Sequence, residues 1–197
     1  MGKGSEKLFP FLIRYIKKNN VKMGFNPGTH HLNLGMKGLK KILKYSGITS
    51  LNTEETMLLL KTDKRDFRYL TRKLWETRCE IAIVTDGPKG SYVYDGKNYW
   101  YCPIYDVPII ERTGCGDSYT TAFIVAIIYG KSVEEAMKWG TINAASVIQH
   151  IGPQEGLLKK NMLLKILKAN SKFKARTFDT EEVKTRTKYK PVKFKRF

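Results

Sequence analysis

Apolar and polar positions along the chain follow two periods, and the switches between them outline a succession of helices and strands. Leu8 to Lys18 carries apolar residues at the three-to-four spacing of an amphipathic helix, and KMGF (22–25) is a short strand running into the turn NPG. Met36 to Lys44 reads as a basic amphipathic helix, ITSL (48–51) as a second strand, and Thr53 to Leu60 as the helix that follows it. Phe67 to Glu76 predicts another helix, and the apolar run EIAIVT (80–85) a buried strand. SYVY and NYWYC flank Asp95-Gly96, a pair favoured in type I′ hairpins. VPII, around 108–110, is the last strand expected. A glycine turn then opens a helix through the unbroken apolar run Ala122 to Ile128. A further helix follows Ser132, which has Glu135 at capping-box spacing. Strands separated by helices predict an α/β fold: an open, mainly parallel sheet with helices on both faces and one β-hairpin.

Composition sharpens the outline in three ways. The chain of 197 residues with 42% hydrophobic content can bury one sizeable core. Its formal net charge of +18 favours polyanionic partners. Residues 171–197 hold ten lysines and arginines against three acids, with little periodicity. They read as a basic, flexible tail that meets nucleic acid only non-specifically, leaving 1–170 as the folded domain. Three cysteines without metal-like spacing suggest a reducing compartment and no disulfide framework. No apolar run reaches the ~20 residues of a membrane span, and MGKGSE lacks a secretory leader. A cytoplasmic protein is the expectation.

The chemistry concentrates in ERTGCGDSYTTAF (111–123). A strand, a glycine turn and a helix start build an anion hole, because backbone N–H groups at the positive end of a helix point at the ligand and glycine allows close approach. The amides of residues 114–117 are the candidates. Asp117 is then out of place unless it accepts a proton from a hydroxyl that attacks a bound phosphate. Asp117 as a simple N-cap of the apolar helix explains the same residue. From residue types alone both readings stay open.

TGCGDSYTTAF resembles the TGAGD-type signature of the PfkB, or ribokinase-like, carbohydrate kinases. FNPG (25–28), ITSLNTEE (48–55), IAIVTDGPKGSYVY (81–94), VPIIERTGCGDSY (107–119) and AASVIQHIGPQEGL (144–157) follow in the order of that family's later strands and nucleotide loops, over roughly residues 7–170. The resemblance implies a ribokinase-like three-layer αβα fold and ATP-dependent phosphorylation of a hydroxyl on a sugar, nucleoside or related small molecule. It makes Asp117 the catalytic base and Gly114, Cys115 and Gly116 the turn that stabilises the transferring phosphoryl group. Asn52 and Glu55 match an N-x-x-E motif that organises Mg²⁺ and phosphates, with Glu55 reaching the metal through water. The same pair is also an acceptable capping box. Thr85, Gly87 and Gly90 match the strand-end loop beside the nucleotide, with Asp86 where the family is often apolar. Asn143 and the Gly152 loop match the adenine side. Glu111 stands where the family usually has Asp near a monovalent-cation site.

Other residues carry blander readings. His30 and His31 lack a third ligand at useful spacing and read as a solvated loop, and Cys115 as a small turn residue rather than an activated thiol. The resemblance begins partway through the family pattern, so the chain reads as its C-terminal, nucleotide-binding half, truncated at the N-terminus. That raises a homodimer or the missing N-terminal half as partner. Two alternatives come from other classes: a non-catalytic nucleotide-binding or scaffold protein, and a basic nucleic-acid-associated protein.

Overall fold

The computed structural model of the chain describes residues 4–178. They form two compact units, one running to Asp86 and including Tyr92–Tyr99, the other made of Gly87–Ser91 and the chain from Trp100 onward. Six strands follow one another in chain order across a mixed open sheet, β1 (Gly24–Phe25), β2 (Ile48–Asn52), β3 (Ile81–Thr85), β4 (Ser91–Tyr94), β5 (Tyr99–Cys102) and β6 (Arg176–Thr177). The α/β class expected from the alternating pattern is the one observed.

In the first unit, α1 (Phe9–Asn19), α2 (Thr29–Leu32), α3 (Gly35–Leu43), α4 (Thr53–Leu60) and α5 (Phe67–Trp75) accompany the parallel strands β1, β2 and β3. β3 is apolar along most of its length and β2 is buried through its first four residues, Thr49 and Ser50 included, because helices cover parallel strands on both faces. Leu51, Ala82, Ile83 and Val84 are buried completely. The two strands run in register from Ile48↔Ile81 to Asn52↔Thr85. Leu39, Ile42 and Leu43 of α3 and Leu70 and Leu74 of α5 close the same core, as their helical spacing requires.

The second unit is built on α6 (Cys115–Ile128), α7 (Val133–Val147) and α8 (Lys160–Ala169). Its core includes Phe123, Met137, Trp139 and Val147. Ser132 caps α7 by accepting the Glu135 amide at 3.2 Å, but the Glu135 carboxylate turns to the Trp139 indole and Lys138 instead of completing the box.

Four expectations change. No strand forms over VPII: Pro103 and Pro108 have no amide for a ladder, and the amides of Ile110 and Glu111 donate to Ile148 O at 2.8 and 3.2 Å. The hairpin turn is not a two-residue type I′ turn but a four-residue loop. In it Asp95 Oδ1 accepts the amides of Lys97 and Asn98 at 2.9 and 2.6 Å. His30 and His31 lie on α2, not in a solvated loop; His31 is buried beside Phe9 and Phe25, and His30 pairs with Glu6. Packing also runs on beyond residue 170, where the sequence reading begins a tail. Phe173, Ala175 and Phe178 are buried, and β6 pairs antiparallel with β5. The rest of that tail, 179–197, lies outside the described residues.

Candidate active site

The first unit carries Asn52, Glu55 and Thr85 at the carboxyl ends of β2 and β3, the edge where open parallel sheets present ligand-binding groups. Asn52 is the N-cap of α4. Its Oδ1 accepts the Glu55 amide at 2.8 Å, and Glu55 Oε2 accepts the Asn52 amide at 2.9 Å. The capping box is therefore real. It engages one atom of each side chain, and the Asn52 Nδ2 and Glu55 Oε1 take no part in it. Thr85 ends β3 half-buried, its carbonyl accepting from the Thr53 hydroxyl at 3.2 Å.

The second unit carries the glycine turns. Gly87 opens the short turn after β3, and the Gly90 amide closes it onto Gly87 O at 3.2 Å. Gly90 has φ +95°, and a Cβ there would stand 2.2 Å from Cys102 O, so no other residue fits without moving backbone. Gly114 is the N-cap of α6 with φ +76°, and a Cβ would meet Pro153 at 2.5 Å. Having no side chain, it offers no cap. The Cys115 amide donates to Arg112 O at 3.2 Å, and the first intrahelical bond is Ser118 N–H to Gly114 O at 2.8 Å. Of the four amides expected to face an anion, the Cys115 one is thus engaged elsewhere. Those of Gly116 and Asp117 have no acceptor within the helix. Gly116 faces open space.

Asp117 is not the cap that one reading made it. It is the third residue of α6, exposed, in the first turn at the positive end of a 14-residue helix. Cys115 is half-buried and burial raises its thiol above the ordinary range, so it is not an activated nucleophile.

Asn143, matched to the adenine side, has both ends of its amide bonded within the chain. It is buried on α7, donating through Nδ2 to Ser118 O at 2.9 Å and accepting the Leu158 amide at 3.0 Å. Its amide is committed at both ends, tying the first turn of α6 to the segment before α8. Glu111 is similarly occupied. The Thr113 hydroxyl and the Gly152 amide, the latter at 2.8 Å, donate to its two oxygens and hold its carboxyl below the usual range. That bond sets the Gly152–Pro153 segment beside Gly114. The pattern of residue types missed one cluster altogether: Asp86, Arg65 and Thr53 in the first unit, joined by short polar contacts. A polar residue at the end of an apolar strand was the signal that pointed to it.

Residues 10–160 match the model of the pfkB family carbohydrate kinases. A sugar kinase of Archaeoglobus fulgidus is 28% identical over 135 residues, which are 68% of this chain and 53% of that protein. The cytidine kinase of Thermococcus kodakarensis is 26% identical over 144 residues, 72% of this chain and 51% of that one. The structure of Arabidopsis thaliana ribokinase complexed with ribose and ATP superposes with a TM-score of 0.72 at 25% identity, covering 83% of this chain and 53% of that protein. The chain spans about half the length of these relatives. With its ordered motifs, its α/β sheet and a family match over most of its length, the chain belongs to the pfkB family of carbohydrate kinases.

Proposed function

We propose that the chain is the phosphate-binding, proton-accepting portion of an ATP-dependent phosphotransferase acting on a hydroxyl of a sugar, nucleoside or related small molecule. The observation that carries this reading is the start of α6. It is a long helix, buried along part of its surface, whose first turn has no side-chain cap, two amides without helical acceptors, and an exposed carboxylate beside them. The named activities of its relatives, on sugars and on cytidine, agree with that chemistry.

In this mechanism the Asp117 carboxylate takes the proton of the acceptor hydroxyl as its oxygen bonds to phosphorus and the bond to the leaving ADP breaks. The Gly116 and Asp117 amides meet the charge spread over the phosphoryl oxygens, while the helix end adds its positive dipole. Glu55 Oε1, which takes no part in the cap, would accept from the water shell of a magnesium ion, and Asn52 Nδ2, also outside the cap, would donate to a phosphate oxygen; no three acidic, His or Cys side chains gather as a cluster among the described residues. A magnesium ion bound there would neutralise charge on the phosphates. Thr85, Gly87 and Gly90 shape the neighbouring loops. Asn143 and Glu111 act through the turns they hold.

The half-length match favours a second reading, in which this chain binds nucleotide but needs a further polypeptide, or a second copy of itself, to bring the acceptor. Both readings require nucleotide binding. Mg-ADP at a hundredfold over its Kd should stabilise the folded chain by about 2.7 kcal/mol, read as a rise in Tm. No rise at millimolar nucleotide, on a folded sample, rejects both. Phosphoryl transfer to a panel of sugars and nucleosides then separates them.

A further inference from the structure

The β2–β3 ladder ends at the pair Asn52↔Thr85. The next residues in the same register are Thr53 and Asp86, and a side-chain bond replaces the ladder there. Thr53 Oγ1 donates to Asp86 Oδ1 at 2.8 Å, and Arg65 Nη2 donates to the same oxygen at 2.5 Å. The Asp86 side chain is 4% exposed, and Arg65 also pairs with Glu54 at 3.3 Å. A carboxylate buried this deeply needs a partner, and the Arg65 guanidinium supplies one. Asp86 in turn keeps the Arg65 guanidinium above its ordinary range. The consequence falls on the first turn of α4, because Thr53 and Glu54 sit between Asn52 and Glu55.

We propose that Asp86 and Arg65 are a positioning pair that aims the Asn52 and Glu55 side chains at a magnesium-bound nucleotide. This rests on the functional reading above and adds two residues to it. Neither touches the reacting atoms.

Calorimetric titration of the full chain with Mg-ADP, and with ADP in the presence of a chelator, tests the pair. Arg65→Met and Asp86→Asn should lose roughly 10- to 100-fold in Mg-ADP affinity, the range for groups that orient metal ligands. ADP without magnesium should change by less than about twofold, and Arg65→Lys should recover part of the loss. Should either single variant unfold, Asp86→Leu with Arg65→Leu replaces both charges by apolar groups, a change buried pairs tolerate. That double variant should show the same magnesium-specific loss. Mg-ADP affinities within about twofold of wild type in a folded variant overturn the inference, as do equal losses with and without magnesium. A wild-type chain that binds no nucleotide overturns the functional reading and the inference with it; wild-type binding with unaffected variants overturns the inference alone.

Discussion

The helices α4 and α6 begin in opposite ways. At α4, Asn52 and Glu55 close a reciprocal capping box, and Thr53, Asp86 and Arg65 pin the turn from behind. At α6, Gly114 supplies the left-handed turn without a side-chain cap, and the donors of Gly116 and Asp117 have no acceptor within the helix. A cap removes orphan donors and steadies a helix; its absence leaves donors for a ligand. The first arrangement holds side chains still for use, and the second keeps backbone groups open.

That contrast can be broken most sharply at Asp117. Asp117→Asn removes the charge at a position that is not the cap, so stability should hardly move. Phosphoryl transfer, by the chain alone or joined to an acceptor-binding polypeptide, should fall at least ~100-fold. An Asn variant with full activity ends the assignment of Asp117 as base. A smaller effect separates the two N-caps. Gly114→Ala forces a side chain into a left-handed φ, at ~1–3 kcal/mol, and also drives a Cβ onto Pro153. Asn52→Ala loses a cap worth about 1 kcal/mol. Urea denaturation should therefore show the larger loss at Gly114, and equal losses would mean that the α6 turn relaxes freely.

The smallest effect is a pH dependence at Glu111. Its carboxyl is held down by the Thr113 hydroxyl and then by the Gly152 amide. A lowered folded-state value gives stability that is present above the unfolded-state pKa, about 4.3, and lost as pH falls through the folded value. The Tm difference between wild type and Glu111→Gln should thus be present at neutral pH and shrink on acidification. A difference that grows in acid would reverse the assignment.

Much of this was readable before any coordinates. Residues 36–44 and 67–76 as helices and 80–85 as a strand follow from period alone, because amphipathic helices and apolar buried strands leave strong local signals. The glycine turn was readable too, since positive φ at Gly114 is written in the residue type. What escaped depends on partners far along the chain. Arg65 and Asp86 meet only after β3 has paired with β2, and the fates of Asn143 and Glu111 were decided by the Leu158 and Gly152 amides. The two-residue β6 was hidden inside basic composition, its burial carried by Phe173, Ala175 and Phe178 rather than by a periodic run. VPII failed as a strand because apolar content says nothing about missing proline amides.

The contact between Gly114 and Pro153 has an evolutionary reading. A Cβ at position 114 would lie 2.5 Å from Pro153 Cβ and 2.8 Å from its Cα. A larger residue at 114 therefore becomes tolerable only after the loop at 152–153 has withdrawn, while a shift of that loop while Gly114 remains is free of the clash. The two positions can drift, but in one order. Even a lineage that first remodels the loop still meets the left-handed φ of +76° at position 114, so a new side chain there needs a second change, in the backbone of the turn that opens α6.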